Sequence, residues 1–226
     1  MKSFIICLSK IESSLSTAVQ LKNDLEKLGM DPELFEGTYG NDAIVKMKAE
    51  GRELHPIGVK GHIDPLSPDA DKMRSPGVRG CFDSHYRLWQ KCVDLDEPII
   101  IFEDDIVVKR PFLETDWEEV LIVALGHPTK SERFMHHLES PTGEPRAEEC
   151  KLASMPGCCG YAIKPAAAQK LIDTYATTFL PADNAMNRAV VKLQIHSHVM
   201  GIALIKKDGK KSLTRTNFWN DYENTP

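Results

Sequence analysis

The sequence predicts an α/β protein, one domain built on a Rossmann-like mixed sheet flanked by helices. Three stretches carry that prediction. "SFIICLS", a helix-spaced run and "PELFEGTYG" read as strand, helix, strand. "RSPGVRGCFDSHYRLWQKCVDL" is an amphipathic helix that leads straight into the apolar strand "EPIIIFEDDIVV". "GCCGYAIK" followed by "PAAAQKLIDTYATTF" repeats the strand-to-helix order. Alternation of this kind is the pattern of a sheet covered by helices.

Taken in order, residues 3–9 predict a short buried strand. Ile11, Leu15, Ala18, Leu21, Leu25 and Leu28 recur at helical spacing, and Gly29 suits the C-terminal cap. Residues 51–76 are rich in Gly, Pro and Asp without a period and predict a long loop, a feature that is often functional. Ser75 is a good N-cap and Pro76 suits the first helical position. Val78, Cys81, Phe82, His85, Leu88, Trp89 and Cys92 form the apolar face of the next helix. Pro98 opens the next strand, and "WEEVLIVALG" predicts another. Residues 126–150 read as a second long loop. Pro165 opens a helix, "PADNAMNRAVVKLQ" looks helical, and "HSHVMGIALIKK" predicts a last strand before an irregular tail.

The chain has 226 residues, 42% hydrophobic and 27% charged, enough for a sizeable core without staples. A net charge of −5 argues against a global basic field for nucleic acid or anionic membrane. The N-terminal apolar run is too short for a signal peptide, and no apolar segment is long enough to span a bilayer. The six cysteines show no C-x-x-C spacing, which argues against a zinc site of that kind and for reduced thiols in a cytoplasmic protein.

Glu103, Asp104 and Asp105 interrupt a run that otherwise reads as buried strand. Burying an unpaired carboxylate is costly, so the acids are either solvated at a turn or set against something positive. In a strand Glu103 and Asp105 point one way and Asp104 the other. The apolar run ends at them, as at the carboxyl end of a sheet strand, the edge where α/β sheets bind ligands. Two same-facing carboxylates there suit a hard divalent cation, Mn²⁺ or Mg²⁺. From the residues alone, solvated acids account for the pattern equally well.

The string "GCFDSHYRLWQKCVDLDEPIIIFEDDIVV", with Gly80-Cys81, Ser84-His85 and Trp89 ahead of the acids, resembles glycosyltransferase family 25. "SFIICLS", "GCCGYAIKPAAAQKLI" and "LPADNAMN" resemble further segments of that family. The resemblance covers most of the chain and is strong over 77–108 and 157–187. It implies a GT-A-like single domain over 1–226, with 1–110 mainly binding the donor nucleotide and 111–226 mainly on the acceptor side. It implies a metal-dependent, inverting transfer of a sugar from a nucleotide-sugar, a UDP-sugar, to an acceptor hydroxyl. Glu103 and Asp105 would hold the metal, with Glu103 also near the donor ribose. Asp104 would support the loop or the sugar, and Asp183 would act as base or bind the acceptor. Leu8, Ser9 and Lys10 would line the donor. Relatives carry arginines just after the first strand; here "KIESSLS" offers only Lys10.

Several of these residues have plainer readings. Ser84 suits a donor phosphate or a solvated serine equally. His85 reads as a core histidine holding its helix against the acidic strand, and Cys158-Cys159 as small residues packed beneath the donor. Asp183 suits a helix cap as well as a base. His196 and His198 read as surface residues rather than metal ligands. Lys206, Lys207, Lys210, Lys211 and Arg215 make 206–219 the one basic patch. It reads as a solvated tail, a clamp on the donor diphosphate, or a track for DNA. The resemblance implies as acceptor a glycan such as lipopolysaccharide, and the basic patch adds a hydroxymethylated base of phage-type DNA as the other expectation. The alternative from another class is a non-catalytic nucleotide- or carbohydrate-binding module.

Overall fold

The structure, a computed structural model, describes residues 1–56, 68–125, 146–150, 155, 159–198 and 202–205. Among them a mixed sheet of seven strands runs in the order β2-β1-β4-β9-β6-β11-β8. These are β1 Lys2–Cys7, β2 Pro32–Glu36, β4 Ile99–Phe102, β6 Val120–Ile122, β8 Ala147–Glu149, β9 Gly160–Ile163 and β11 Ile195–His198. β1 is parallel to both β2 and β4, and β9 is antiparallel to its neighbours β4 and β6. A smaller sheet joins β5 Ile106–Val108, β12 Ala203–Ile205 and β7 Ala124–Leu125; β3 Glu53–Leu54 pairs with β10 Thr178–Phe179. The helices are α1 Glu12–Lys27, α2 Gly40–Ala49, α3 Pro68–Met73, α4 Pro76–Leu95, α5 Pro165–Thr174, α6 Ala182–Ala185 and α7 Arg188–Val191.

The sheet separates two apolar layers. Phe4, Ile99, Ile101, Tyr161 and Ile163 pack with Phe82, Leu88 and Trp89 of α4 and with Leu171 of α5. Ile5, Cys7, Ile100, Phe102 and Ala162 pack with Ala18, Leu21 and Leu25 of α1 on the other face. β4 is buried on both faces, which is why its sequence is continuously apolar rather than alternating.

Several expectations hold. Ser75 caps α4, its Oγ accepting the Val78 N–H, with Pro76 in the first turn. Gly29, at φ +81°, ends α1 in a Schellman arrangement: its N–H donates to Glu26 and the Met30 N–H to Leu25. Other expectations need correction. The predicted strand 98–108 is two strands in different sheets, with a turn at 103–105 between them. A carboxylate inside β4 would lie in a layer with no water, so the chain turns where the acids begin. The loop 51–76 contains β3 and α3, and its residues 57–67 lie outside the described set. In the loop 126–150, β8 occupies 147–149 and residues 126–145 lie outside that set. The stretch from 181 breaks into two one-turn helices rather than one long helix. The segment from 196 contributes to two strands, β11 and β12. α2 went unpredicted. It crosses α4 at close range: a Cβ on Gly80 would come within 2.6 Å of the Thr38 carbonyl, and one on Gly40 within 2.6 Å of Pro76 backbone.

Candidate active site

β1 and β4 run parallel and adjacent, so the loop after β1 and the turn after β4 emerge side by side at the same sheet edge. The loop carries Leu8, Ser9 and Lys10; the turn carries Glu103, Asp104 and Asp105. One side chain joins them. Ser14, in the first turn of α1, accepts the Leu8 N–H at 3.0 Å and donates its hydroxyl to Asp104 Oδ2. The rest of the loop leans on the end of β2 and on Tyr39 beyond it. The Ser9 N–H donates to Glu36 Oε1 and the Lys10 N–H to the Tyr39 hydroxyl. Lys10 Nζ lies over the Tyr39 ring, 5.3 Å from its centroid.

The pleat of β4 carries into the turn. Ile99 and Ile101 face α4, Ile100 and Phe102 face α1, and the acids continue that alternation. Glu103 meets α4: its Oε1 lies 3.4 Å from His85 Nε2 and 3.7 Å from Cys81 Sγ. Its N–H donates to the Cys159 carbonyl of β9's leading edge. Asp104 meets α1 instead. Burial pushes its carboxyl up to about 6, against the lowering effect of the Ser14 and Thr17 hydroxyls. Asp105 is exposed, and its charge bears with that of Glu103 on the Cys81 and Cys159 thiols. Burial drives both thiols well above the ordinary range, and the carboxylates add to it.

The charge of a third acid acts on the same thiol. Asp183, on the one-turn α6, also bears on Cys81. It is not a helix cap, because Pro181 holds that position without a side-chain bond. Its Oδ1 accepts from Asn184 Nδ2 at 2.7 Å, and its carbonyl accepts the Met155 N–H. Glu103 and Asp105 from the turn after β4 and Asp183 from α6 thus all push the pKa of one cysteine up.

Beneath Glu103, α4 and β9 supply a chain of polar groups. The Trp89 indole N–H donates to the Tyr161 hydroxyl at 2.8 Å, and that hydroxyl lies 2.9 Å from His85 Nδ1. A carboxylate can only accept, so His85 presents Nε2–H to Glu103 and accepts the Tyr161 O–H at Nδ1. The helix face that periodicity assigned to the core therefore carries a buried polar network. Sequence reasoning assigned His85 correctly to the helix–strand contact but could not see Tyr161, whose partner stands 76 positions away.

Ser84 is buried, its hydroxyl donating to Gly80 and accepting the Thr38 N–H. The solvated reading of this serine fails, because the hydroxyl is enclosed between α4 and the 37–39 loop. Its neighbour Asp83 was missed. It is fully buried, bonded by Thr38 Oγ1 at 2.6 Å and Lys46 Nζ at 2.8 Å. His198 is also buried rather than on the surface: its Nε2 donates to the Leu113 carbonyl, and burial lowers its pKa. His196 is half-buried, in an open cleft with Trp117 and Lys164. Cys158 and the basic segment 206–219 lie outside the described residues. Among the described residues no helix is long and apolar enough to cross a membrane.

Comparison with known proteins identifies the family. The profile of "Glycosyltransferase family 25 (LPS biosynthesis protein)" matches residues 2–186. A "Glycosyltransferase 25 family member" of Aedes aegypti is 35% identical over 88 residues, which are 37% of this chain and 13% of that protein. The lipooligosaccharide biosynthesis protein lic2B of Haemophilus influenzae is 28% identical over 131 residues, 56% of this chain and 42% of that protein. A second Haemophilus influenzae protein, lipooligosaccharide biosynthesis protein lex-1, is 26% identical over 117 residues, 46% of this chain and 39% of that protein. The matches thus span less than half the length of each of these relatives. With most of its length matched to the family profile and an α/β sheet that brings the predicted acids to one edge, the chain belongs to glycosyltransferase family 25.

Proposed function

We propose that the chain transfers a sugar from a nucleotide-sugar, a UDP-sugar, to a hydroxyl of a glycan acceptor, with Mn²⁺ or Mg²⁺ held by Glu103 and Asp105. The observation that carries this reading is the position of Glu103 and Asp105 in the turn at the carboxyl end of β4, beside the loop that follows the parallel strand β1. Their donor set fits a hard cation: carboxylate oxygens, one side chain exposed and the other a third exposed. The cation would neutralise the charge that grows on the departing nucleoside diphosphate.

The protein's own groups have separate tasks. Leu8, Ser9 and Lys10 form the donor loop, and Lys10 brings the positive charge that the missing arginines would supply. Asp104 positions that loop through Ser14 rather than touching the reacting atoms. Ser84, enclosed by Gly80 and Thr38, holds the 37–39 loop rather than the donor. Asp183 takes the acceptor's proton as the acceptor oxygen bonds to the anomeric carbon from the side opposite the breaking bond to the diphosphate. The configuration then inverts.

A glycan acceptor is supported by the lipooligosaccharide biosynthesis named for two relatives. DNA as acceptor draws only on the 206–219 charges. The test is UDP release from UDP-sugars with Mn²⁺ and a lipooligosaccharide acceptor. Metal-dependent release is expected. Binding of UDP without release from any donor would leave the non-catalytic module as the better account.

A further inference from the structure

Cys81, His85 and Glu103 bring together three ligand atoms of different chemistry, a sulfur, an imidazole nitrogen and a carboxylate oxygen, all within 4.8 Å of one another. Glu103 Oε1 stands 3.7 Å from the sulfur and 3.4 Å from His85 Nε2. A tetrahedral Zn²⁺ with bonds of about 2.3 Å to sulfur and about 2.0 Å to nitrogen and oxygen sets its ligand atoms about 3.3–3.6 Å apart. The two separations at Glu103 therefore already lie near the edge lengths of a zinc tetrahedron, with the third no longer than 4.8 Å. We propose that Cys81, His85 and Glu103 form a site for a borderline divalent cation of the Zn²⁺ type, separate in ligand chemistry from the all-oxygen pair of Glu103 and Asp105.

The fold builds this site rather than leaving it to chance. Cys81 and His85 are four residues apart on α4 and so share a face. The register of β4 then delivers Glu103 opposite them. The Tyr161 hydroxyl, held by the Trp89 indole, fixes the His85 ring as an outer-shell partner does for a metal-bound imidazole. With a cation on Nε2, the Nδ1–H donates to Tyr161; without one, Nε2–H donates to Glu103. A hydroxyl serves both states, because it can accept or donate. Access is one-sided: His85 is fully buried, whereas about a third of the Glu103 side chain meets solvent. Asp105 and Asp183 add a negative field at the sulfur that favours an incoming cation. Binding releases the Cys81 proton to solvent, and the cation takes its place on sulfur.

Titration of the reduced, metal-free chain with Co²⁺ tests the proposal without donor or acceptor, so its outcome is independent of the transferase reading. One equivalent should give a thiolate-to-cobalt charge-transfer band and the intense visible bands of four-coordinate cobalt, both abolished by Zn²⁺. Cys81→Ser should lose the charge-transfer band, whereas Asp105→Asn should keep it. Tyr161→Phe should weaken Zn²⁺ binding by roughly 10–100-fold. A wild-type spectrum of weak, six-coordinate cobalt would overturn the site, as would a charge-transfer band that survives Cys81→Ser. If Cys81→Ser does not fold, zinc-edge X-ray absorption of the wild type decides: one sulfur neighbour supports the site, and none overturns it.

Discussion

Glu103 faces α4, where Cys81 and His85 approach one of its oxygens and part of the side chain meets solvent. Asp104, the next residue, faces α1, where the Ser14 hydroxyl holds it and burial raises its carboxyl to about 6. Two adjacent acids at the end of one rigid strand thus enter two layers of the protein. The first is supported from below and open above, as a group that meets a ligand must be. The second is half-buried, held by the Ser14 hydroxyl, and ties the turn to the loop after β1. The difference teaches that a run of acids is read one face at a time, and that the faces are set by the strand that precedes it.

The largest effect expected is on the open side. Asp105→Ala should reduce Mn²⁺-dependent UDP release to background with an unchanged circular dichroism spectrum, since an exposed turn residue contributes little to packing. Asp104→Asn should keep most of the turnover. If the two variants lose activity equally while both remain folded, the distinction between the faces fails. Asp183→Asn comes next. Loss of a base costs on the order of 10²–10⁴-fold in rate, so single-turnover rates should fall by that much while the donor Kd stays near wild type. Near-normal turnover would leave Asp183 with no part in the chemistry.

A fully buried carboxylate sharpens the contrast. Asp83 is fully enclosed like the base of the site, but it has a lysine, Lys46, at 2.8 Å. Lys46→Met would strand that charge, and a broken buried pair costs about 3–5 kcal/mol. Because Lys46 is itself partly exposed, the expected loss lies toward the lower figure. Urea denaturation measures it. A midpoint unchanged from wild type would mean that Thr38 alone satisfies Asp83.

Much of this was legible in the sequence because it depends on local pattern. Ser75-Pro76, the α4 face, the Gly29 cap and the edge position of the acids all follow from spacing within a few residues. Alternation along β4 even foretold that Glu103 and Asp104 part to opposite sides, although the strand itself stops at Phe102. What stayed hidden depends on distant partners. Tyr161 of β9 beside His85 and Lys46 of α2 beside Asp83 are brought close by tertiary packing, which no local period reveals. α2 was hidden for another reason: its buried apolar residues, Ala43 and Met47, are few, and Val45 is largely exposed, so it packs through glycine contacts rather than a broad apolar stripe. Ser14 was passed over because a serine within an apolar period looks like an interruption, yet it occupies the buried face that Leu15 was expected to take.

Ser14 also gives the smallest and most specific test of the comparison. Its hydroxyl is the one side-chain bridge described between the Leu8 N–H and the Asp104 carboxylate. Ser14→Ala removes a donor and an acceptor at once and leaves both partners under-satisfied in a largely buried place. A buried polar group left without its bond costs about 1–3 kcal/mol, so the melting temperature should fall measurably while the protein stays folded. The kinetic consequence separates positioning from chemistry. A loosened loop at Leu8, Ser9 and Lys10 binds the donor less well, so the donor KM should rise. The rate at saturating donor should change little, because Glu103, Asp105 and Asp183 are untouched. A fall in kcat at unchanged KM would mean that Asp104 acts on the reacting groups after all, and that the enclosed side of the turn belongs to the chemistry as much as the open one.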